Sequence, residues 1–116
     1  MNKLVECTIP VLPVKNLKES LKFYTETLGF KIDWGADEES LIGSVSRDGC
    51  CIMLSEMHGE VKSTWVWIGL EDDSLFIEYI NKGVKVIQEP QNQSFAYEMK
   101  IADIDGNVLW LGTEPK

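Results

Sequence analysis

Few side chains in this sequence are of a kind and spacing that performs covalent chemistry. The single histidine, His58, lies in the polar stretch Glu56 to Ser63, where an imidazole is ordinarily a solvated surface group. Cys50 and Cys51 sit side by side in a stretch that reads as a strand, a setting in which buried thiols are usually inert. Glu98 and Lys100 alternate with Tyr97, Met99 and Ile101, which reads as a solvated strand face rather than an acid–base pair. No nucleophile is flanked by a base, and no glycine loop has phosphate-binding spacing. No residue is therefore assigned a catalytic role. The chain is instead rich in tryptophan, with four in 116 residues. Indole rings offer large contact area at low entropy cost and stack on planar or cationic groups. Strand parity puts Trp65, Trp67 and Gly69 on one face, and puts Trp110 with Val108 opposite Leu109 and Leu111.

The elements that must position these residues are legible in outline. Tyr97 to Gly112 reads as a hairpin, with Asp103-Ile104-Asp105-Gly106-Asn107 as its turn. Upstream, Val5 to Val14 is strand-like, although Pro10 and Pro13 remove ladder donors. Asn16 caps a helix whose Leu17, Leu21, Tyr24 and Leu28 share one face, and Gly29 ends it. Strands follow at Phe30 to Trp34, Leu41 to Ser46 and Cys50 to Leu54, the last two joined by a tight Arg47-Asp48-Gly49 turn. After the polar stretch come a strand over Thr64 to Leu70 and a helix capped by Asp72 or Asp73. Leu75, Phe76, Tyr79 and Ile80 form its buried side. Gly83 ends that helix, Val84 to Gln88 is a strand, and Glu89 to Ser94 is a loop. The order is β-α-β-β-β, twice. Tyr24…Leu28-Gly29-Phe30-Lys31-Ile32 is echoed by Tyr79…Lys82-Gly83-Val84-Lys85-Val86, which supports an internal repeat.

Composition bounds the rest. The length suits one domain with a real core, and 44% apolar with 26% charged residues is ordinary for a soluble globular chain. A net charge of -8 repels phosphate backbones, which argues against nucleic acid as a partner. Cys7, Cys50 and Cys51 are odd in number, with two adjacent, which fits a reducing compartment, and none has metal-finger spacing. Glu6, Pro10 and Pro13 break up any signal-like apolar run, and no stretch has the length of a membrane span. The expectation is a cytoplasmic protein with no membrane partner.

Two motifs carry a resemblance. Val14-x-Asn16-Leu17-x-x-Ser20-Leu21-x-Phe23-Tyr24-x-x-x-Leu28-Gly29-Phe30 follows the first strand, and Asp103-x-Asp105-Gly106-Asn107 precedes the last. In a duplicated frame they resemble the vicinal oxygen chelate superfamily, which includes glyoxalases, extradiol dioxygenases, fosfomycin-modifying enzymes and bleomycin resistance proteins. The resemblance implies an α+β fold of two tandem βαβββ units whose curved sheets surround a cleft. It implies one domain over 1–116, with unit one over about 4–56 and unit two over about 63–114. Enzymes of the superfamily usually hold a divalent metal through His, Glu or Gln. Carried over, the four ligand positions fall on Ile9, Met53, Trp65 and Trp110, none of which suits such an ion. The expectation is therefore no metal and no cofactor.

If the same face lines the cleft, Ile9, Met53, Trp65, Trp67 and Trp110 form a ligand site with apolar, aromatic walls. The plainer reading makes these tryptophans core or dimer-interface packing. Two function classes follow. One is a metal-free binding protein of the bleomycin-resistance type, which sequesters an aromatic or cationic small molecule and confers antibiotic resistance. The other is a lyase, isomerase or dioxygenase with a displaced or non-standard site. Relatives often form clefts between chains, so a homodimer is expected.

Overall fold

The computed structural model describes residues 2–116. The chain folds as the sequence order implies, with two βαβββ units in tandem. Unit one contributes β1 (Val11–Val14), α1 (Leu17–Lys22), β2 (Lys31–Trp34), β3 (Ile42–Arg47) and β4 (Cys50–Glu56). Unit two contributes β5 (Trp65–Gly69), α2 (Ser74–Asn81), β6 (Lys85–Asn92), β7 (Tyr97–Ala102) and β8 (Val108–Thr113). Each unit makes a four-stranded mixed sheet of the same topology, β1-β4-β3-β2 and β5-β8-β7-β6. In each, the first strand lies parallel to the last and the other neighbours are antiparallel.

One core serves both units. Leu12, Val14, Val45, Ile52 and Leu54 enter it from the first sheet, and Met99, Ile101, Leu109 and Leu111 from the second. The helices supply Leu17, Leu21, Tyr24, Leu28, Phe76 and Tyr79. The period read from the sequence is thus the buried face of α1 and of the π turn that continues it. Asn16 caps that helix through its side chain, which accepts from Glu19 N at 2.9 Å. Beyond Lys22 the helix widens into a π turn over Phe23–Thr27, where Leu28 N donates to Phe23 O at 3.2 Å. Gly29 then takes φ 79°, and a side chain there would collide with Arg47, whose Nη1 donates to Leu28 O at 2.7 Å.

Four local expectations are corrected. The first strand is paired only from Val11: residues 2–9 lie outside the ladder, and Pro10, which cannot donate, only accepts from Met53 N at 2.9 Å. Strand β6 runs on to Asn92 through Pro90, where a loop is expected. It is the edge of its sheet, and a register shift between Gln88 and Gln91 accommodates the missing donor. On α2, Phe76 and Tyr79 are buried, but Ile80 is 41% exposed. Glu98, read as part of a solvated face, is buried.

The turn between β7 and β8 does more than reverse the chain. Asp103 accepts from Tyr24 Oη at 2.8 Å, from the backbone of Asp105 and Asn107, and from Asn107 Nδ2. Asn107 also donates to Pro13 O and accepts from Thr64 N. Asp105 accepts from Lys15 N and Ser20 Oγ. The motif thereby ties the second sheet to β1 and α1 of the first unit.

Candidate functional site

The aromatic residues gather on the open face of the second sheet, opposite the core. Trp65 and Trp67 alternate with the half-buried Val66 and Ile68 on β5, as a strand with one covered face requires. On β8, Leu109 and Leu111 turn to the core, so Val108, Trp110 and Gly112 take the open face. Trp67 pairs directly with Trp110 in the parallel ladder, and Lys100 of β7 pairs with Trp110 on its other side.

Trp110 is the centre of the cluster. Its ring lies 5.5 Å from Trp65, 5.2 Å from Trp67 and 6.0 Å from Phe95, centre to centre. The Trp67 and Phe95 contacts are edge-to-face, the arrangement favoured by the ring quadrupole. Phe95, from the β6–β7 turn, also contacts Trp67 and was not singled out by the sequence. Its only sequence signal is an aromatic residue in an otherwise polar turn. Gly112 makes the arrangement possible, because a side chain there would overlap the Trp67 ring. The cluster is far from closed: Trp65 is 61% exposed, Phe95 59% and Trp67 42%. A cavity of about 300 Å³ opens beside it, lined by Trp65, Ile87, Lys100, Val108 and Trp110.

Polar groups border the rings. Glu98 stands opposite Gly112 on β7 and is 1% exposed. Its Oε2 accepts from Gln88 Nε2 at 2.8 Å, while Oε1 is buried with no partner. The Trp110 Nε1 is likewise buried and unpartnered. Lys100 Nζ lies 4.9 Å from the centre of the Trp110 ring, within cation–π range. The sequence could not mark Glu98, because strand alternation gives its face and not whether that face is covered.

The other expected site residues lie elsewhere. Met53 is half-buried on β4, where it pairs with Val11 of β1 and Ser44 of β3. Ile9 precedes β1 and is exposed. Both belong to the first unit, and neither lines the cavity beside Trp110. Trp65, Trp67 and Trp110 come together; Ile9 and Met53 do not join them in that cavity. Near Met53 the first sheet is small and polar, with Asp33 accepting from both Ser44 Oγ and Ser46 Oγ. Glu56 accepts from Leu17 N, a role in holding α1, and His58 beside it is exposed. Cys7, Cys50 and Cys51 are free thiols.

The donor chemistry at Ile9, Met53, Trp65 and Trp110 does not fit the divalent ion that the fold's enzymes use. One hydrocarbon, two indoles and one soft thioether stand where hard or borderline donors are needed. Among the described residues, no group of three or more His, Cys, Asp or Glu is placed to hold a metal ion. Nor is any helix among them long and apolar enough to cross a membrane.

Residues 3–111 match the family model described as the Glyoxalase/Bleomycin resistance protein/Dioxygenase superfamily. No curated protein matches the chain. Among solved structures, an integron cassette protein from the mobile metagenome of the Halifax Harbour sewage outfall is 26% identical. It superposes with a TM-score of 0.81 over 95% of this chain and 99% of its own. TnmS3, an antibiotic binding protein from Streptomyces sp. CB03234, is 20% identical, with a TM-score of 0.81 over 98% and 99%. The bleomycin-binding protein from bleomycin-producing Streptomyces verticillus, solved with copper(II)-bleomycin, is 21% identical. Its TM-score is 0.79 over 100% of both chains. At 20% and 21% identity the likeness establishes the shared fold.

Proposed function

The chain belongs to the glyoxalase/bleomycin resistance protein/dioxygenase superfamily, and from that membership we propose that it binds and sequesters a small molecule without metal chemistry. The ligand is aromatic or cationic, and its seat is the face built from Trp65, Trp67 and Trp110. The observation that carries this reading is the open aromatic cluster, in which Trp65, Trp67 and Phe95 each contact the central, half-buried Trp110 and are themselves substantially exposed. A core cluster would be covered; an exposed patch of this kind is where a partner or ligand is received. Two relatives of the same fold, the antibiotic binding protein and the bleomycin-binding protein, support the class.

Ile9 and Met53 enter the same site when a second copy supplies its first sheet to cover the tryptophans of the other. That arrangement is the homodimer we propose. It would also hide Trp65 and Phe95 from water and give residues 2–10 a surface to lie on. Light scattering at tens of micromolar, a range set by ordinary interface affinities, should report about twice the chain mass; a monomer would remove Ile9 and Met53 from the site.

The binding reading is tested by titrating the protein with planar aromatic compounds, cationic and neutral, while following tryptophan fluorescence. Quenching is expected, and Trp110→Ala should weaken binding several-fold while the thermal melt stays cooperative. Binding that survives Trp110→Ala unchanged would sink the reading.

A further inference from the structure

Glu98 is a carboxylate buried on the same face of the sheet as the rings, and only one of its oxygens is satisfied. A buried acceptor without a donor is costly, and more so when it is charged. The nearest cation, Lys100, stops short: its Nζ is 4.0 Å from Oε2, too far for a hydrogen bond. Among the described residues that ammonium donates to nothing, and it rests instead over the Trp110 ring. It also lines the cavity beside Trp65 and Trp110.

We infer that the Lys100 ammonium is an internal placeholder for the cationic group of the ligand. The seat of a cation is already built there, from a ring face on one side and a buried carboxylate on the other. Its present occupant is a flexible stem, one-third exposed and held by no directional bond, so moving it costs little. A planar aromatic carrying an ammonium, amidinium or guanidinium group would stack on Trp110 and Trp65 and push Lys100 into solvent. Its N–H would then complete the Glu98 carboxylate, which Lys100 does not reach. Glu98 is in this account the residue that selects cations, and Lys100 sets how tightly one must bind to enter. Gln88 positions the carboxylate from behind.

This inference rests on the aromatic face being the ligand site, and the experiment separates the two. Proflavine, a planar cation, and anilinonaphthalene sulfonate, a planar anion, are titrated against the wild-type chain, Glu98→Gln and Lys100→Met. Glu98→Gln keeps an acceptor for Gln88, and Lys100→Met keeps the stem, so both are expected to melt cooperatively. Proflavine should be preferred, and Glu98→Gln should weaken it about tenfold, as loss of a charge-assisted bond does. Lys100→Met should tighten it about threefold, because nothing is left to displace. If Glu98→Gln does not fold, the gain in Lys100→Met alone decides. Proflavine binding unmoved by both changes overturns the inference. So does a preference for the sulfonate that Lys100→Met abolishes, which would make Lys100 an anion anchor while leaving the aromatic site intact. Failure of both probes to bind would sink the aromatic site itself, and this inference with it.

Discussion

The two units share a topology strand for strand, yet they treat their open faces and their closing turns differently. On β3 and β4 the open face carries Ser44, Ser46 and Met53, with Asp33 bonded to both serines. On β5 and β8 it carries three indoles, two of them open to solvent and the third half-buried between them, with a glycine that leaves room for one. The turns differ as much. Asp48 and Gly49 close β3 to β4 with φ of 52° and 80°, the two left-handed residues of a type I′ hairpin, on the surface. The five-residue turn of unit two is instead a hub whose buried Asp103 and Asn107, with Asp105, reach β1, α1, Tyr24 and the residue before β5. A duplicated frame keeps what the core demands, alternating apolar residues and glycine helix ends. Faces and turns are free of that demand, so they are where the copies diverge and, at the second turn, where the units dock on one another.

The largest test of that contrast sets one turn against the other. Asp103→Ala removes the acceptor for Tyr24 Oη, two backbone N–H groups and the Asn107 amide, most of them buried. It should cost about 3–5 kcal/mol in denaturant unfolding, as loss of a buried polar network does. Asp48→Ala, exposed and bonded to nothing comparable, should cost only about 1 kcal/mol, from placing alanine in the left-handed region. Equal costs would show that the units are joined by apolar packing alone.

The same asymmetry limits what could be read from the chain. Leu17, Leu21, Tyr24 and Leu28 announce themselves because a helix face depends on local spacing. The repeat is legible for the same reason, since each unit must end its helix at Gly29 or Gly83. The Asp103 hub reads only as a turn, because its partners Tyr24, Pro13 and Thr64 are distant in sequence. Glu98 misleads outright: alternation marks it as outward, and it does stand on the open face opposite Gly112, yet it is buried there, which no local pattern encodes. Trp65, Trp67 and Trp110 share a face by parity, whereas the approach of Phe95 has no local signal.

A second test, of intermediate size, uses the paired tyrosines. Tyr24 and Tyr79 hold equivalent places in the repeat, and burial raises both phenols. The charge of Asp103 raises Tyr24 further. Tyr79 is pushed from its ordinary value of 10.0 to about 12, burial outweighing the opposing pull of Arg47. A phenol with a higher pKa when folded favours the fold while protonated. That advantage is complete below about pH 10, where the unfolded phenol keeps its proton, and is lost as pH rises through about 12. For Tyr79 it amounts to roughly 2–3 kcal/mol, about 1.4 per pKa unit. Unfolding free energies measured between pH 9 and pH 12, about the window these values set, should fall steadily. Tyr79→Phe should flatten part of the fall and Tyr24→Phe another part. A profile identical in both variants and the wild type would mean that neither phenol is sequestered.

The smallest effect bears on the open faces themselves. If the tryptophans of the second sheet were core, each would be needed for stability, and truncation would cost about 3–5 kcal/mol. Trp65 is more than half exposed, and among the described residues its one ring contact is with Trp110. Trp65→Ala should therefore lower stability by less than about 1 kcal/mol, in the range of surface substitutions. Leu109→Ala, one strand over and facing the shared core, should cost about 2–5 kcal/mol. The pair is informative because Leu109 stands next to Trp110 on β8 and opposite Val66, the neighbour of Trp65, in the β5–β8 ladder, so local distortion affects both tests. A large loss for Trp65→Ala at concentrations where the chain is monomeric would return that residue to packing. A loss that grows with protein concentration would instead place Trp65 in the interface between two copies, since only an associated state can be destabilised in that way.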